Sequence, residues 1–186
     1  MGLIADFHFD NEAITVPYPP LFDSIRRNHG FVDLRGRPDL AAEISEGAQS
    51  IALKALLIEL AAELSPIFSI GCDLGTHEEP EAIGARHVAG GYVQLMYSNY
   101  ANKDPDEYQS LGEMLAREME GHVGNSNWRM YFVLAPVAFK LDDFSDLTPS
   151  LRIWFYAAAQ TAAAALISRE ALIDRLRTLL RSVGDP

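Results

Sequence analysis

Residues 128–141 read WRMYFVLAPVAFKL, a run that is apolar at nearly every position. A strand with one buried face alternates apolar and polar residues, so a run without alternation predicts a strand buried on both faces. We therefore expect this strand to lie at the centre of a β-sheet. Pro136 has no backbone N–H to donate, so we expect the strand to bend or end there.

Further strands are predicted outside this central stretch. We assign them from alternation or apolar runs to residues 3–9, 67–72 and 86–97. A turn at residues 10–12 leads from the first strand into a short extended piece at 13–16, which predicts an N-terminal hairpin. Gly90 and Gly91 indicate a bulge or a close approach of two backbones.

Helices are predicted from their start and stop signals, at residues 38–64, 104–120, 149–167 and 168–183. Pro38 suits the first turn of a helix, because its missing N–H would have no partner there. Gly47 weakens the first helix and is expected to kink or divide it. Ser168 is the expected N-cap of the last helix, since its hydroxyl can accept a backbone hydrogen bond.

The predicted order is strand, helix, strand, strand, helix, strand and two helices. This order predicts an α+β fold with helices packed on a mixed or antiparallel sheet. It also matches the ferredoxin-like βαββαβ order, followed by two extra C-terminal helices. The length of 186 residues suits one core, and no Gly/Ser/Pro-rich linker divides the chain, so residues 1–186 are expected to form a single globular domain.

The chain is acidic, with 26 Asp and Glu against 15 Lys and Arg and a formal net charge of −11. Residues 38–84 alone hold nine acidic residues and one basic residue. Nucleic acids bind mainly through Lys and Arg contacts to phosphate, so neither nucleic acid nor an anionic membrane is an expected partner. Residues 151–167 are apolar but contain Arg152 and Gln160 and are too short to span a bilayer, so we expect a buried helix there.

The cysteine content predicts the compartment. Cys72 is the only cysteine, so an intrachain disulfide cannot form, and a reducing compartment is expected. The first residues lack a basic region followed by an apolar run, which is the pattern of a secretory signal. Together these features predict a cytoplasmic protein.

The segment from Asp73 to His87 contains the first group of candidate site residues. We predict a loop over residues 73–84, and loops of this length often carry function. The candidates in and beside the loop are Cys72, Asp73, His77, Glu79 and His87. The histidines and carboxylates could bind a divalent metal or transfer protons, and Cys72 could act as a nucleophile with one histidine as its base. A solvated acidic loop and a buried structural cysteine are the alternative interpretations.

A second candidate group lies near the N-terminus. Asp6, His8 and Asp10 are spaced by two, so in a strand their side chains project from the same face. Two carboxylates beside an imidazole could hold a metal ion. Alternating charges also protect an exposed sheet edge, and that interpretation stays open.

Known nucleotide and nucleophile signatures are missing from the sequence, and no cofactor is predicted. A set of aromatic and methionine side chains could line a ligand pocket beside the sheet or simply fill the core. Its members are Tyr92, Met96, Tyr97, Tyr100, Trp128, Tyr131, Phe132, Trp154, Phe155 and Tyr156.

These features favour a non-enzymatic binding or regulatory module that contacts a protein partner or a small ligand. The alternative is an enzyme with a metal or acid/base site in the Asp73–His87 region. Residues 157–165 read AAAQTAAAA, and small side chains let another element approach a helix closely. A homodimer through residues 151–167 is therefore predicted as well.

Overall fold

The computed structural model describes residues 5–22, 27–77, 87–120, 127–141 and 145–183. Its strands are β1 (Ala5–Phe9), β2 (Ile14–Val16), β3 (Leu21–Phe22), β4 (Arg27–Asn28), β5 (Ile67–His77), β6 (His87–Tyr97), β7 (Asn127–Phe139) and β8 (Asp146–Ala159). Its α-helices are α1 (Pro38–Ala41), α2 (Ile51–Leu60), α3 (Pro105–Glu120) and α4 (Ala162–Ser182). Two 3₁₀ turns span Ser45–Gln49 and Tyr100–Asn102. The predicted α+β class is confirmed, since a six-stranded mixed sheet packs against four helices.

The sheet has the strand order β1–β7–β8–β6–β5, and β2 pairs with β7 beyond the end of β1. The central position predicted for residues 128–141 is confirmed, because β7 is paired on both sides. Pro136 does not end the strand. It lies between the part of β7 that pairs with β1 and the part that pairs with β2, so its missing N–H breaks no ladder bond on that side.

The predicted N-terminal hairpin is wrong. β1 and β2 both run parallel to β7 and follow it one after the other. The Asp10 N–H donates to the Leu134 carbonyl at 2.9 Å, and the Lys140 N–H donates to the Val16 carbonyl at 2.8 Å. The polar residues between β1 and β2 therefore connect two strands that both pair with β7, and β1 and β2 do not pair with each other.

The helix predicted at residues 149–167 is also wrong. Asp146–Ala159 is strand β8, and α4 begins only after Thr161, whose side chain accepts a hydrogen bond of 3.2 Å from the Ala164 N–H. Ser168 lies inside α4 and is not a cap. Ile153 and Phe155 are fully buried while Trp154 is half-buried, which is the period of two of a strand. Because β7 and β6 flank β8, even its less buried positions are aromatic, and the alternation is hidden in the sequence.

The chain therefore ends with a strand and one helix instead of two extra helices. The ferredoxin-like order is neither confirmed nor contradicted, since β1, α2, β5, β6, α3 and β7 do follow one another in that sequence. The dimer was predicted through a helix at residues 151–167, but residues 151–159 form an interior strand and not a helix. Self-association stays a prediction. The exposed part of that surface is the start of α4, where Ile167 is 70% exposed.

The first predicted helix is divided, as the glycine signal indicates. α1 ends at Ala41, the 3₁₀ turn Ser45–Gln49 follows, and α2 starts after Ser50, whose hydroxyl accepts a hydrogen bond from the Leu53 N–H at 2.9 Å. Gly47 is buried in the middle of the 3₁₀ turn. The turn packs against β5, and Glu46 within it is half-buried.

The two faces of the sheet are covered differently. Helices α2, α3 and α4 pack on one face and form the main core with residues such as Val93, Ile153 and Phe132. On the other face, a smaller cluster around Phe68 and Phe139 is covered by the N-terminal segment. Among the described residues, no helix combines the length and apolar character that crossing a membrane requires.

Candidate ligand-binding cleft

A cleft of about 910 Å³ runs along the outer side of β5. The strand contributes residues 69–73, and the segment 28–32 and the turn region 43–46 line it from two other sides. Tyr18 and Tyr92 complete its polar lining. This volume lies at the upper end of the roughly 300–1,000 Å³ that is typical of small-molecule sites.

The orientation of the cleft follows from its lining. Ser69, Ile70, Gly71, Cys72 and Asp73 are consecutive residues of one strand, and all of them border the cleft. Successive side chains of a strand point to opposite faces of the sheet. A cleft bordered by five consecutive residues therefore follows the edge of β5, not one face of it.

Tyrosine hydroxyls approach the strand where it is irregular. The register of β5 against β6 shifts between Ser69 and Gly71, and the Tyr18 hydroxyl donates a hydrogen bond of 3.3 Å to the Ile70 carbonyl there. A Cβ atom at Gly71 would lie 3.3 Å from the Tyr18 hydroxyl and 4.0 Å from the Tyr92 hydroxyl. The glycine thus leaves room for both hydroxyls beside the strand.

The titratable groups beside Gly71 are held in their neutral forms. Burial raises the pKa of Tyr18 to about 12, and burial also raises the pKa of Cys72 to about 12. The pKa of Tyr92 is raised too, mainly by burial, although Arg152 acts in the opposite direction. The Glu46 carboxylate also contributes to all three raised pKa values, because its negative charge disfavours a second anion nearby.

The remaining charged groups make the cleft acidic. Glu43, Glu46 and Asp73 line it, while none of its described lining residues is a lysine or an arginine. The Ser45 hydroxyl donates a hydrogen bond of 2.8 Å to Glu46, which orients that carboxylate. Carboxylates next to neutral hydroxyls and aromatic rings favour a cation over an anion.

Two of the predicted site residues, Cys72 and Asp73, line this cleft, but in a strand and not in the predicted loop. His87 does not join them. Asp73 pairs with Tyr92, five residues along β6 from His87, which corresponds to about 16 Å at ~3.3 Å per residue. Cys72 is one residue further away, so His87 is not within hydrogen-bonding reach as its base.

The remaining members of the Asp73–His87 prediction are not tested. Glu79 and the side chain of His77 lie outside the described residues. Within the part of the chain that the structure describes, no three His, Cys, Asp or Glu side chains come together closely enough to hold a metal ion. The metal and acid/base interpretations of this region therefore stay predictions.

Of the N-terminal group, the structure places the side chains of His8 and Asp10, and the metal site proposed there stays a prediction. Asp10 lies just after β1, where it accepts a hydrogen bond from the Glu12 N–H at 3.0 Å and faces Arg152 at 3.8 Å. His8 is exposed, with its ring centroid 6.3 Å from that of Tyr131. The side chain of Asp6 lies outside the described residues. Asp10 thus stabilises the turn after β1 and forms an ion pair with Arg152.

Four of the aromatic residues proposed to line a pocket form a row across the sheet face opposite the helices. Tyr92 and Trp154 have ring centroids 4.7 Å apart, Trp154 and Tyr156 are stacked at 6.2 Å, and Tyr131 lies 6.0 Å from Tyr156. All four are half-buried. The other six are core residues or pack against the core, namely Met96, Tyr97, Tyr100, Trp128, Phe132 and Phe155. Tyr92 connects this row to the cleft.

Sequence reasoning missed Tyr18, Glu46 and the segment 28–32 as parts of a site. Tyr18 lies between Pro17 and Pro19, and this rigid stretch could have marked a positioned side chain. Glu46 belongs to the acidic segment 38–84, but its approach to β5 depends on tertiary packing alone.

No protein family, curated protein or solved structure matches this chain.

Proposed function

We propose that the chain is a cytoplasmic binding module, and that its ligand carries an ammonium or guanidinium group that enters the cleft beside β5. The observation that carries this proposal is the acidic lining of the cleft. Glu46 and Asp73 border it together with Tyr18, Tyr92 and Phe31. Carboxylates supply charge-assisted hydrogen bonds to such a group, and aromatic faces attract it further.

The neutral state of Tyr18 and Cys72 adds to the proposal. Both pKa values are about 12, so at neutral pH these groups bring no charge that would compete with the ligand. Their hydroxyl and thiol can still make hydrogen bonds. The charge of the lining then comes from its carboxylates, and this negative charge favours a cationic ligand.

Nα-acetyl-L-arginine amide (arginine amide) tests the proposal, and Nα-acetyl-L-citrulline amide (citrulline amide) is its matched probe. Acetylation removes the α-ammonium group from both, so they differ only by a guanidinium in one and a neutral urea of the same shape in the other. We expect arginine amide at millimolar concentration to shift the NMR signals of Tyr18, Gly71 and Tyr92, and citrulline amide to leave them unchanged. In the variant Glu46→Gln, binding should weaken about fivefold, which corresponds to ~1 kcal/mol.

Glu63→Gln is the control variant, because it removes the same charge from an exposed residue that does not line the cleft. We expect it to bind arginine amide like the unmodified chain. Equal affinity for the two amides, or equal binding by the Glu46→Gln and Glu63→Gln variants, would show that the cleft does not select cations.

The alternative function is an enzyme that uses the Asp73–His87 region for metal or acid/base chemistry. It requires His77 and Glu79 to approach Asp73, and zinc or manganese uptake by the purified chain would support it. Abolition of that uptake in a His77→Ala/His87→Ala variant would assign the metal to this region.

A further inference from the structure

A second cavity, of about 350 Å³, lies where the C-terminal ends of α2 and α4 meet. The two helices pack side by side and run in the same direction, since the Ala52 N–H donates to Glu170 and Glu59 pairs with Arg177. Within the described part of the chain, this cavity shares no lining residue with the cleft beside β5. Its volume is at the lower end of the range of small-molecule sites. It is therefore a separate candidate site for a small ligand.

The inner side of this second cavity is apolar. Leu56, Leu60 and Leu180 line it, and none of them is more than 5% exposed. Leu64 lines the same cavity at its open side and is 94% exposed. A ligand in the cavity would remove part of the Leu64 side chain from water, which is favourable in proportion to the apolar area covered. The four leucines together suit an aliphatic chain.

Two guanidinium groups stand beside these leucines. Arg177 Nη1 lies 2.7 Å from Glu59 Oε1, and Arg181 Nη2 bonds to the same oxygen. Arg177 also pairs with Asp174 at 2.8 Å, whereas Glu59 is the carboxylate with which Arg181 pairs among the described residues. The Arg181 side chain is 64% exposed, and a guanidinium has five N–H donors. Arg181 can therefore bind a second carboxylate without leaving Glu59.

We propose that this cavity binds a free aliphatic monocarboxylic acid of medium chain length, with its tail on the leucines and its carboxylate on Arg181. The charged lining residues are Glu59, Arg177 and Arg181, which leaves an excess of one positive charge in a chain of net charge −11. Carboxylates form charge-assisted and often bidentate hydrogen bonds with guanidinium groups. The local positive charge and the apolar floor together match a ligand with one carboxylate and one tail.

Charge and shape distinguish this ligand from other occupants. A neutral hydrocarbon would cover the leucines but make no use of Arg181. A small inorganic anion would pair with Arg181 but leave the apolar floor uncovered. An anionic membrane surface attracts clusters of about four to eight basic residues, and this lining supplies only Arg177 and Arg181 among the described residues.

Octanoate is the probe, and two compounds are its matched controls. Octanamide keeps the tail but has no charge, and butanoate keeps the charge but has a shorter tail. We expect octanoate at millimolar concentration to shift the NMR methyl signals of Leu60, Leu64 and Leu180. Both controls should bind at least about tenfold more weakly, a difference of ~1.4 kcal/mol.

Three variants test the contacts one at a time. Arg181→Gln should weaken octanoate binding about fivefold, which corresponds to ~1 kcal/mol. Arg117→Gln is its control, because Arg117 is an exposed arginine of α3 that does not line the cavity, and it should bind octanoate like the unmodified chain. Leu64→Ser should also weaken binding, and because Leu64 is 94% exposed, the core does not depend on it.

The outcomes that would overturn the inference are specific to this cavity. Equal affinity for octanoate and octanamide, or equal octanoate binding by Arg181→Gln and Arg117→Gln, would show that the carboxylate does not pair with Arg181. Unchanged binding in Leu64→Ser would show that the tail lies elsewhere. The proposed cation binding is judged separately, by the signals of Tyr18, Gly71 and Tyr92 with arginine amide.

Discussion

The Tyr18 hydroxyl donates a hydrogen bond of 3.3 Å to the backbone carbonyl of Ile70, a residue 52 positions further along the chain. This contact joins the N-terminal segment to the edge of the sheet at the register shift between Ser69 and Gly71. It holds one wall of the cleft against the strand. The contact therefore contributes both to the stability of the fold and to the shape of the candidate site.

Replacing Tyr18 with phenylalanine should lower the free energy of unfolding by about 1 kcal/mol, because the Ile70 carbonyl loses its side-chain partner while the ring remains. Tyr18→Leu should cost more, since the ring also packs edge-on against Phe31 with centroids 6.0 Å apart. Urea denaturation measures both variants. Equal stability of Tyr18→Phe and the unmodified chain would mean that the hydrogen bond contributes nothing.

The Cys72 thiol should react slowly with iodoacetamide at pH 8. Because burial raises its pKa to about 12, only a very small fraction is thiolate, and thiolate is the reactive form. We expect labelling of the folded chain to be at least about 100-fold slower than labelling of the same chain in urea. Mass spectrometry follows the reaction. Comparable rates in the two states would contradict the assigned pKa.

Gly91→Ala should destabilise the fold by about 3 kcal/mol, because the new Cβ would lie 2.1 Å from the Asp73 carbonyl oxygen and the β5–β6 backbones would have to separate. Gly47→Ala is the matched control. Its Cβ would lie 3.3 Å from the Lys54 Cβ, a contact that a shift of a few tenths of an ångström relieves. Thermal unfolding compares the variants. A similar loss of stability in both would show that the short contact at Gly91 does not cause the destabilisation.

Thr161→Ala should cost about 1 kcal/mol, since Thr161 caps α4 through its 3.2 Å bond to the Ala164 N–H. Ser168→Ala should change stability little, because Ser168 lies within the helix. If the helix started at Ser168, the Ser168→Ala variant would lose more stability than Thr161→Ala. Chemical denaturation of the two variants therefore tests where α4 begins.

Asp33 should make the stability of the fold depend on pH in the acid range. The Arg35 guanidinium makes two hydrogen bonds to its carboxylate, at 2.9 and 2.7 Å, and lowers the pKa of Asp33. The stabilisation is present above the unfolded-state pKa of about 3.9 and is lost as the pH falls through the lower folded-state pKa. In Asp33→Asn, the free energy of unfolding should fall less steeply below pH ~4. Parallel curves for the two chains would contradict this prediction.

Periodicity and local signals in the sequence were sufficient for much of the fold. The unbroken apolar run of residues 128–141 predicted a central strand, and the helix-start residues Pro38 and Asp104 predicted where helical structure begins. Gly90 and Gly91 predicted a close backbone approach, which the contacts at both glycines confirm. These features depend on neighbours along the chain, and for this reason a single sequence reveals them.

What the sequence by itself determined is the α+β class, the central strand and the acidic segment that supplies Glu43, Glu46 and Asp73. Only the tertiary structure decided that residues 146–159 form a strand, because neighbours on both edges bury a run whose local pattern also suits a helix. The cleft likewise required tertiary structure. Tyr18, Glu46 and Gly71 are distant in sequence, and long-range strand pairing and the packing of the 3₁₀ turn bring them together at the edge of β5.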